Sequence, residues 1–139
     1  MHNITSPRID DVSIEQQILA KGKTAPRVTP ADIEANIDAE LCFTVGNAAD
    51  ALGVPTSDST RLLTICVLTL RNGFTVTGES ACASPENFDA EIGRNIARQN
   101  AVQKIWPLMG YALRTELSRP VLTEADAAAD LAGTSRPPR

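Results

Sequence analysis

Several features on which protein chemistry commonly depends are scarce or missing in this 139-residue sequence. It contains one histidine, His2, close to its start, and it has neither of the glycine-rich loops, GxxxxGK[ST] and GxGxxG, that cradle nucleotide phosphates. A serine or cysteine nucleophile needs a base within hydrogen-bond reach, and a lone histidine in a polar terminus is badly placed to supply it. We therefore expect no catalytic residues and no cofactor.

Cysteine is also sparse, and its spacing is uninformative for metal binding. Cys42, Cys66 and Cys82 lie 24 and 16 residues apart, with no CxxC pair. Zinc needs about four nitrogen, sulfur or oxygen ligands held close together, and this spacing does not indicate them. We predict no metal site and reduced thiols that pack as small hydrophobic groups, with intermolecular disulfides in an assembly as the alternative.

Long apolar runs and basic clusters are missing as well. No apolar run approaches the roughly 20 residues needed to cross a bilayer, and the first residues lack the basic-then-apolar pattern of a signal peptide. The 13 basic residues are outnumbered by 17 acidic ones, for a net charge of -4, and they are spread along the chain. Nucleic-acid binding usually requires a basic face. We expect a cytoplasmic protein that binds neither membrane nor nucleic acid.

What is present, between Leu62 and Leu117, predicts an α+β fold with a small antiparallel sheet. Two apolar and β-branched runs, Leu62–Leu70 and Phe74–Gly78, flank Asn72-Gly73. Asn-Gly between such runs favours a hairpin, because both turn positions tolerate positive φ. We predict a β-hairpin at residues 62–80, with a candidate strand at residues 40–45 that ends at Gly46-Asn47. An amphipathic helix over Leu62–Leu70 is the alternative.

A long helix is predicted to follow the hairpin and to pack against the sheet. Ser84 is expected to cap it, with Pro85 in the first turn. A stripe of small residues on it, formed by Gly93, Ala97 and Ala101, would let a strand or helix approach closely. Pro107 costs about 3 kcal/mol inside a helix, so we predict a break near residues 106–110 and a second helix over residues 108–118.

Composition divides the chain into three parts. Residues 1–28 form a polar N-terminal arm with a short helix over Asp11–Leu19, and residues 29–118 form a single globular domain. Thr29-Pro30-Ala31-Asp32 reads as the start of a short helix in that domain, which Ile33 and Ile37 would anchor. Residues 119–139, rich in Pro, Ala and Asp, read as a flexible tail with a short helix at 124–131.

The charged and aromatic residues of the long helix are the candidate binding residues. Arg94, Arg98 and Lys104 could clamp an anionic ligand, together with backbone N–H groups near residues 84–88 of a neighbouring subunit. The alternative is a solvated face paired with Glu91 or Asp89. Trp106 and Tyr111 flank Pro107 and are expected to be core or interface residues, with stacking on a base as the alternative.

A carboxylate cluster is the one candidate for acid/base chemistry. It could be assembled from four residues, Glu79, Glu86, Asp89 and Glu91. The simpler interpretation is structural, because acidic charges near a helix N-terminus each contribute about 0.3–1 kcal/mol of stability. We favour the structural interpretation.

One ordered string of motifs carries a family resemblance. It comprises Thr64-Ile65-Cys66, the run from Leu70 to Cys82, the run from Pro85 to Gly93, Ala97, and the run from Ile105 to Tyr111. Over about residues 29–118 the sequence resembles the small phage and prophage family labelled gene product forty-nine or gene product sixty-six. The resemblance implies a phage or prophage gene and brings no catalytic residues with it.

Two functions are consistent with these observations. The first is a non-enzymatic phage accessory protein that binds a host protein or a small anionic ligand in the host cytoplasm, for host takeover or anti-defence. The alternative is a virion structural or assembly component, such as a capsid-decorating or connector protein. An enzyme built on the carboxylate cluster is a third, weaker hypothesis. Self-association is expected because the helix stripes offer more apolar surface than one hairpin can cover.

Overall fold

The computed structural model describes residues 10–120 and 123–138. Along the chain it has α1 (Asp11–Ala20), α2 (Pro30–Ala35), β1 (Ile37–Thr44), α3 (Val45–Leu52), α4 (Asp58–Arg61), β2 (Leu63–Leu70), β3 (Thr75–Ala81), α5 (Ala90–Ser118) and α6 (Glu124–Ala132). The α+β fold predicted from the sequence is confirmed. Within these residues, no helix combines the length and apolar composition that crossing a bilayer demands.

The three strands form one antiparallel sheet in the order β1-β2-β3. The predicted hairpin is confirmed as β2 and β3, and the helical alternative for Leu62–Leu70 is wrong. The turn differs from the expectation, because only Gly73 has a positive φ, at 89°. Gly73 N–H donates to Leu70 O (2.9 Å) and Leu70 N–H to Phe74 O (2.8 Å). These bonds define a three-residue loop in which the glycine takes the left-handed position.

The candidate strand at residues 40–45 exists but starts earlier and ends one residue sooner. α2 ends at Ala35 and β1 begins at Ile37. Ile37, which was expected to anchor the helix, therefore lies in the strand. Gly46-Asn47 does not form a turn after β1. Instead, Asn47 N–H donates to Thr44 Oγ1 and Thr44 N–H to Asn47 Oδ1, both at 3.1 Å. This reciprocal capping box starts α3 directly at the end of the strand.

The long helix differs from its prediction in its capping residue and in its continuity. Ser84 makes no side-chain cap; a short 3₁₀ turn (Pro85–Asn87) intervenes, and Asp89 caps α5 by accepting from Ile92 N–H at 3.0 Å. The predicted break near residues 106–110 is wrong, because α5 runs as one 29-residue helix through Pro107. Ile105 and Met109, on either side of Pro107, both pack against the same core, and this shared packing offsets the lost backbone hydrogen bond.

The core lies between α5 and one face of the sheet. Ile33 from α2, Leu68 and Leu70 from β2, Val76 from β3 and Ile105 from α5 are buried in it. The small-residue stripe of α5 (Gly93, Ala97, Ala101) is buried as well. It meets β3 at Gly78, where an added Cβ would lie 2.1 Å from the backbone oxygen of Ala97. The expectation that this stripe permits a close approach is confirmed, and the approaching element is a strand of the same chain.

The two flanking segments contain the helices that were predicted for them. α1 is capped by Asp10, which accepts from Ser13 N–H at 2.7 Å. Its Glu15 pairs with Arg27 on the segment that leads to α2. In the C-terminal segment, α6 starts with a capping box between Thr123 and Asp126 and ends at a left-handed Gly133. The flexible character of residues 119–139 and the three-part division of the chain stay predictions.

Candidate functional site

Arg98 is the sequence-predicted site residue that the structure constrains most. Its Nη atoms donate to both carboxylate oxygens of Glu34 on α2 (3.1 and 2.9 Å), and its Nε donates to Glu40 Oε1 on β1 (2.7 Å). Hydrogen bonding to Glu34, and then to Glu40, raises the pKa of Arg98. The guanidinium therefore joins three elements of the fold. An anionic ligand would therefore have to compete with two carboxylates for the same guanidinium.

The remaining cations of α5 are not gathered with Arg98 into a clamp. Arg94 and Lys104 are exposed, and neither makes an ion pair with another residue of the described ranges. The alternative interpretation of paired charges holds for Arg98, but its partners are Glu34 and Glu40 rather than the expected Glu91 or Asp89. These partners are distant in sequence, so helix periodicity could not have identified them.

Replacing Arg98 with methionine is expected to lower stability in a pH-dependent way. Arg98 lowers the pKa of Glu34 below its ordinary value of 4.5. A carboxylate with a depressed folded-state pKa stabilises the fold above its unfolded-state pKa, and this contribution disappears as the pH falls through the lower, folded value. We expect a loss of about 1 kcal/mol at neutral pH, as is typical of partly exposed pairs. The difference from wild type should shrink as the pH falls below 4.5.

Urea unfolding of both proteins at a series of pH values measures this effect. Arg94→Met is the matched control, because Arg94 lies on the same helix and is exposed. We expect this control to be neutral at every pH. A stability difference for Arg98→Met that does not change between neutral pH and pH 3 would show that the ion pairs do not stabilise the fold.

Trp106 and Tyr111 occupy different environments. Trp106 packs partly against the core, and its Nε1 donates to Asp11 Oδ2 on α1 at 3.3 Å. It lines a cavity of about 260 Å³ between α1 and α5, together with Ile14, Ile18 and Val28. Tyr111 is 78% exposed. The expectation of a core or interface role is confirmed for Trp106, whereas the exposed Tyr111 ring is available for contacts.

The four carboxylates do not form a catalytic pair in a cleft. Glu79, Glu86, Asp89 and Glu91 are all exposed. Asp89 caps α5, and Glu91 lies in the first turn of that helix, which is the structural role favoured from the sequence. Glu79 lies on β3, away from them in the chain.

A feature that the sequence reasoning missed is the face of the sheet turned away from α5, which we call the outer face. Its apolar members are Leu41 and Phe43 from β1 and Leu63, Ile65 and Val67 from β2. Strand register places Phe43 opposite Ile65, and Leu41 opposite Val67. Leu41 is 62% exposed, and no strand residue on this face is fully buried. The outer face is therefore an apolar surface accessible to solvent.

One sequence signal could have revealed the outer face. In Leu63–Leu70, all eight residues are Leu, Ile, Val, Cys or β-branched Thr, and both faces of the strand contain large apolar side chains. Strands of this kind are typical of sheets covered on both sides. The predicted fold offered only one helix layer, so the second face of β2 had no partner within the chain. Counting layers would have pointed to it.

The strand pairing also brings two thiols and one carboxylate close together. Cys42 on β1 lies directly opposite Cys66 on β2, with their Sγ atoms 2.8 Å apart. Glu40 Oε2 is 3.9 Å from Cys42 Sγ. The three ligand atoms lie within 4.8 Å of one another, although the other oxygen of Glu40 is bonded to Arg98. Because 24 residues separate the two thiols, sequence spacing gave no indication of this cluster.

Self-association was expected because the stripes of the long helix were thought to be uncovered. The small-residue stripe is covered by the chain's own sheet and no longer supports it. A second, larger apolar stripe on α5 repeats every four residues from Ile105 to Leu117. In this stripe, Ile105 is buried and Leu117 is 50% exposed. The C-terminal half of α5 therefore offers partial apolar surface, and self-association stays a prediction.

Comparison with known proteins gives one match. A family model described as "Phage protein (N4 Gp49/phage Sf6 gene 66) family" matches residues 28–117. Neither the curated proteins nor the solved structures contain a significant match to the chain. The matched range spans α2 through nearly all of α5 and includes the complete sheet.

Proposed function

Since the chain belongs to the N4 Gp49/phage Sf6 gene 66 family of phage proteins, we propose that it is a non-enzymatic accessory protein that acts by binding another protein. The binding surface is the outer face of the sheet. The single observation that carries the proposal is that five large apolar side chains lie together on this face and none is fully buried. Contiguous exposed apolar surface of this kind is typical of protein interaction sites.

The shape of the outer face favours a protein partner over a small ligand. Ile65 and Val67 lie on the central strand, so they occupy the middle of the surface, with Leu41 and Phe43 beside them. Small molecules bind in clefts that bury most of their surface, whereas an open sheet face suits a partner that spans several strands. A broad apolar centre suits a partner that covers the sheet.

The polar residues of the outer face indicate the chemistry of the partner. Thr69, Thr75 and Thr77 flank the apolar centre on one side, and Glu79 lies opposite Ile65 on β3. Charge complementarity steers association and fixes register. The matching surface would have an apolar centre with a lysine or arginine placed to face Glu79.

The anionic-ligand form of the hypothesis has less support. Arg98 is bonded to two carboxylates, and the lining of the cavity beside Arg98 includes neither Arg94 nor Lys104. A ligand that displaced Glu34 and Glu40 would have to replace two ion pairs, although both carboxylates would remain accessible to water. The candidate cations of α5 are better explained as structural and solvated residues.

Photo-crosslinking from Val67 in infected cells tests the proposal. A photoreactive side chain at this partly exposed position of the central strand should cross-link one protein other than this chain, because it lies at the centre of the outer face. The matched control places the same group at Lys104, an exposed position on α5 in the opposite layer. We expect no cross-link to that protein from position 104.

The identity of the cross-linked protein separates the two functions that the sequence allowed. A host protein supports a host-directed accessory role, and a particle protein, found also in purified virions, supports the assembly role. Cross-linking only to a second copy of this chain, or equal cross-linking of one protein from positions 67 and 104, would refute binding of another protein by the outer face.

A further inference from the structure

Two cysteines lie close together on the inner face of the sheet, the face that packs against α5. Cys42 and Cys66 lie directly opposite each other on adjacent antiparallel strands. Both are free thiols, and their Sγ atoms are 2.8 Å apart. A disulfide bond is about 2.05 Å long, so the sulfur atoms need to move by less than about 1 Å to reach bonding distance.

The backbone hydrogen-bond pattern of the sheet makes Cys42 and Cys66 a non-hydrogen-bonded pair, the type of cross-strand pair in which side chains lie closest. Leu70 N–H donates to Phe74 O, and Leu62 O accepts from Cys82 N–H, so the even-numbered residues of β2 direct their backbone groups toward β3. Arg71 N–H donates to Asn36 O, on the side of β1. Cys66 is even-numbered, and it therefore forms no backbone hydrogen bond with Cys42.

Such non-hydrogen-bonded pairs have Cα atoms about 4.5 Å apart, and side chains closer than in the bonded pairs. Disulfides span Cα separations of about 4.4–6.8 Å. The pair between β1 and β2 lies at the short end of this range. A bond there is sterically permitted, and the strand pairing holds both thiols in place for it.

The two thiols differ in access. Cys66 lies on the central strand with 0% exposure. Burial, and secondarily its contact with Cys42, raises the pKa of Cys66 to about 12. Cys42 lies on the edge strand and is partly exposed. An incoming reagent would therefore meet Cys42 first, because reaction requires an accessible thiolate, and Cys66 is held behind it as the second thiol.

We propose that Cys42 and Cys66 form a thiol–disulfide exchange site for low-molecular-weight disulfides such as oxidised glutathione. The Cys42 thiolate attacks one sulfur of glutathione disulfide, forms a mixed disulfide and releases one glutathione thiolate. Cys66 then gives its proton to solvent and its thiolate attacks Cys42 Sγ, the Cys42–glutathione bond breaks, and the departing glutathione thiolate takes up a proton. The protein loses two hydrogen atoms, and one glutathione disulfide is reduced to two thiols.

The resulting bond would link β1 covalently to the central strand and close the segment that contains α3 and α4. This proposal is independent of any partner on the outer face, because both cysteines lie on the opposite, helix-facing side of the sheet. The third thiol lies outside the pair, since Cys82 Sγ donates to Ser84 O at 3.1 Å. Cys82 therefore serves as an internal control.

The experiment incubates the reduced full-length protein with glutathione buffers of increasing oxidised fraction and then alkylates the remaining thiols. At the oxidising end we expect wild type and Cys82→Ser to lose two hydrogens and two alkylation sites. Trypsin should then yield a linked pair of peptides, residues 28–61 with residues 62–71, because Arg27, Arg61 and Arg71 are cleavage sites. Reductant should separate them.

Variants separate the two steps. Cys66→Ser, or Cys66→Ala if serine is not tolerated in the core, should stop at one glutathione adduct on Cys42. Cys42→Ser should leave Cys66 unmodified under native conditions. The proposal is overturned if wild type keeps three alkylatable thiols across the whole series. It is also overturned if Cys42 pairs with Cys82 or with a second chain.

Discussion

Gly78→Ala is expected to destabilise the protein by about 3 kcal/mol or more, at the upper end of the cost of overpacking a core. An added Cβ would lie 2.1 Å from Ala97 O and 2.3 Å from Ala101 N. Both are backbone atoms of α5, so no side-chain rotation can relieve the clash. The helix would have to lift off β3, and the contacts of its small-residue stripe would be lost with it.

Urea unfolding compared with Gly110→Ala gives a matched measurement. Gly110 lies on α5, the helix that packs on Gly78, and an added Cβ at Gly110 meets no heavy atom within 4 Å. The same chemical change should stabilise the protein by about 0.5–1 kcal/mol at this position, because alanine is the better helix former. Equal effects of the two substitutions would show that α5 does not rest on β3 at Gly78.

Ile105→Ala is expected to cost about 2–5 kcal/mol, the range for emptying a large side chain from a packed core. Ile105 has 0% exposure and lies one turn before Met109 in the core that α5 forms with the sheet. Leu117→Ala, on the same helix beyond Pro107, removes a similar volume from a residue that is 50% exposed. Its cost should stay below about 1 kcal/mol, as for most surface substitutions.

The midpoint of thermal unfolding of the two variants distinguishes a core that ends near Met109 from one that continues along the helix. A large drop for Ile105→Ala with a small one for Leu117→Ala supports the first. Comparable losses for both variants would mean that Leu117 is covered in solution, and the account of α5 as partly uncovered would then be wrong.

The sequence was sufficient for the hairpin because the signals that specify it are local. Alternating residues and Asn72-Gly73 together determine the two strands, although the turn has three residues and only Gly73 takes a positive φ. Pro107 was misjudged because its local cost is real but core packing on both sides outweighs it. Intrinsic penalties are weak guides when a helix is anchored by tertiary contacts.

The candidate site could be predicted only in part. Helix spacing correctly placed Arg94, Arg98 and Lys104 on α5, yet the partners of Arg98 come from α2 and β1, 64 and 58 residues away. The Cys42–Cys66 pair likewise depends on strand register. The outer face depends on which layer covers which side of β2. Each of these features requires the tertiary fold, and residue spacing alone does not determine it.

Binding affinity for the cross-linked partner tests the central claim most directly. We expect Val67→Lys to weaken binding by more than about tenfold, since a charge at the centre of an apolar interface costs well over 1.4 kcal/mol. Val67→Thr, which keeps the branched shape, and Lys104→Glu, in the opposite layer, should bind within about threefold of wild type, a difference of less than 1 kcal/mol. Wild-type affinity for a folded Val67→Lys protein would contradict the claim that the outer face of the sheet is the binding surface.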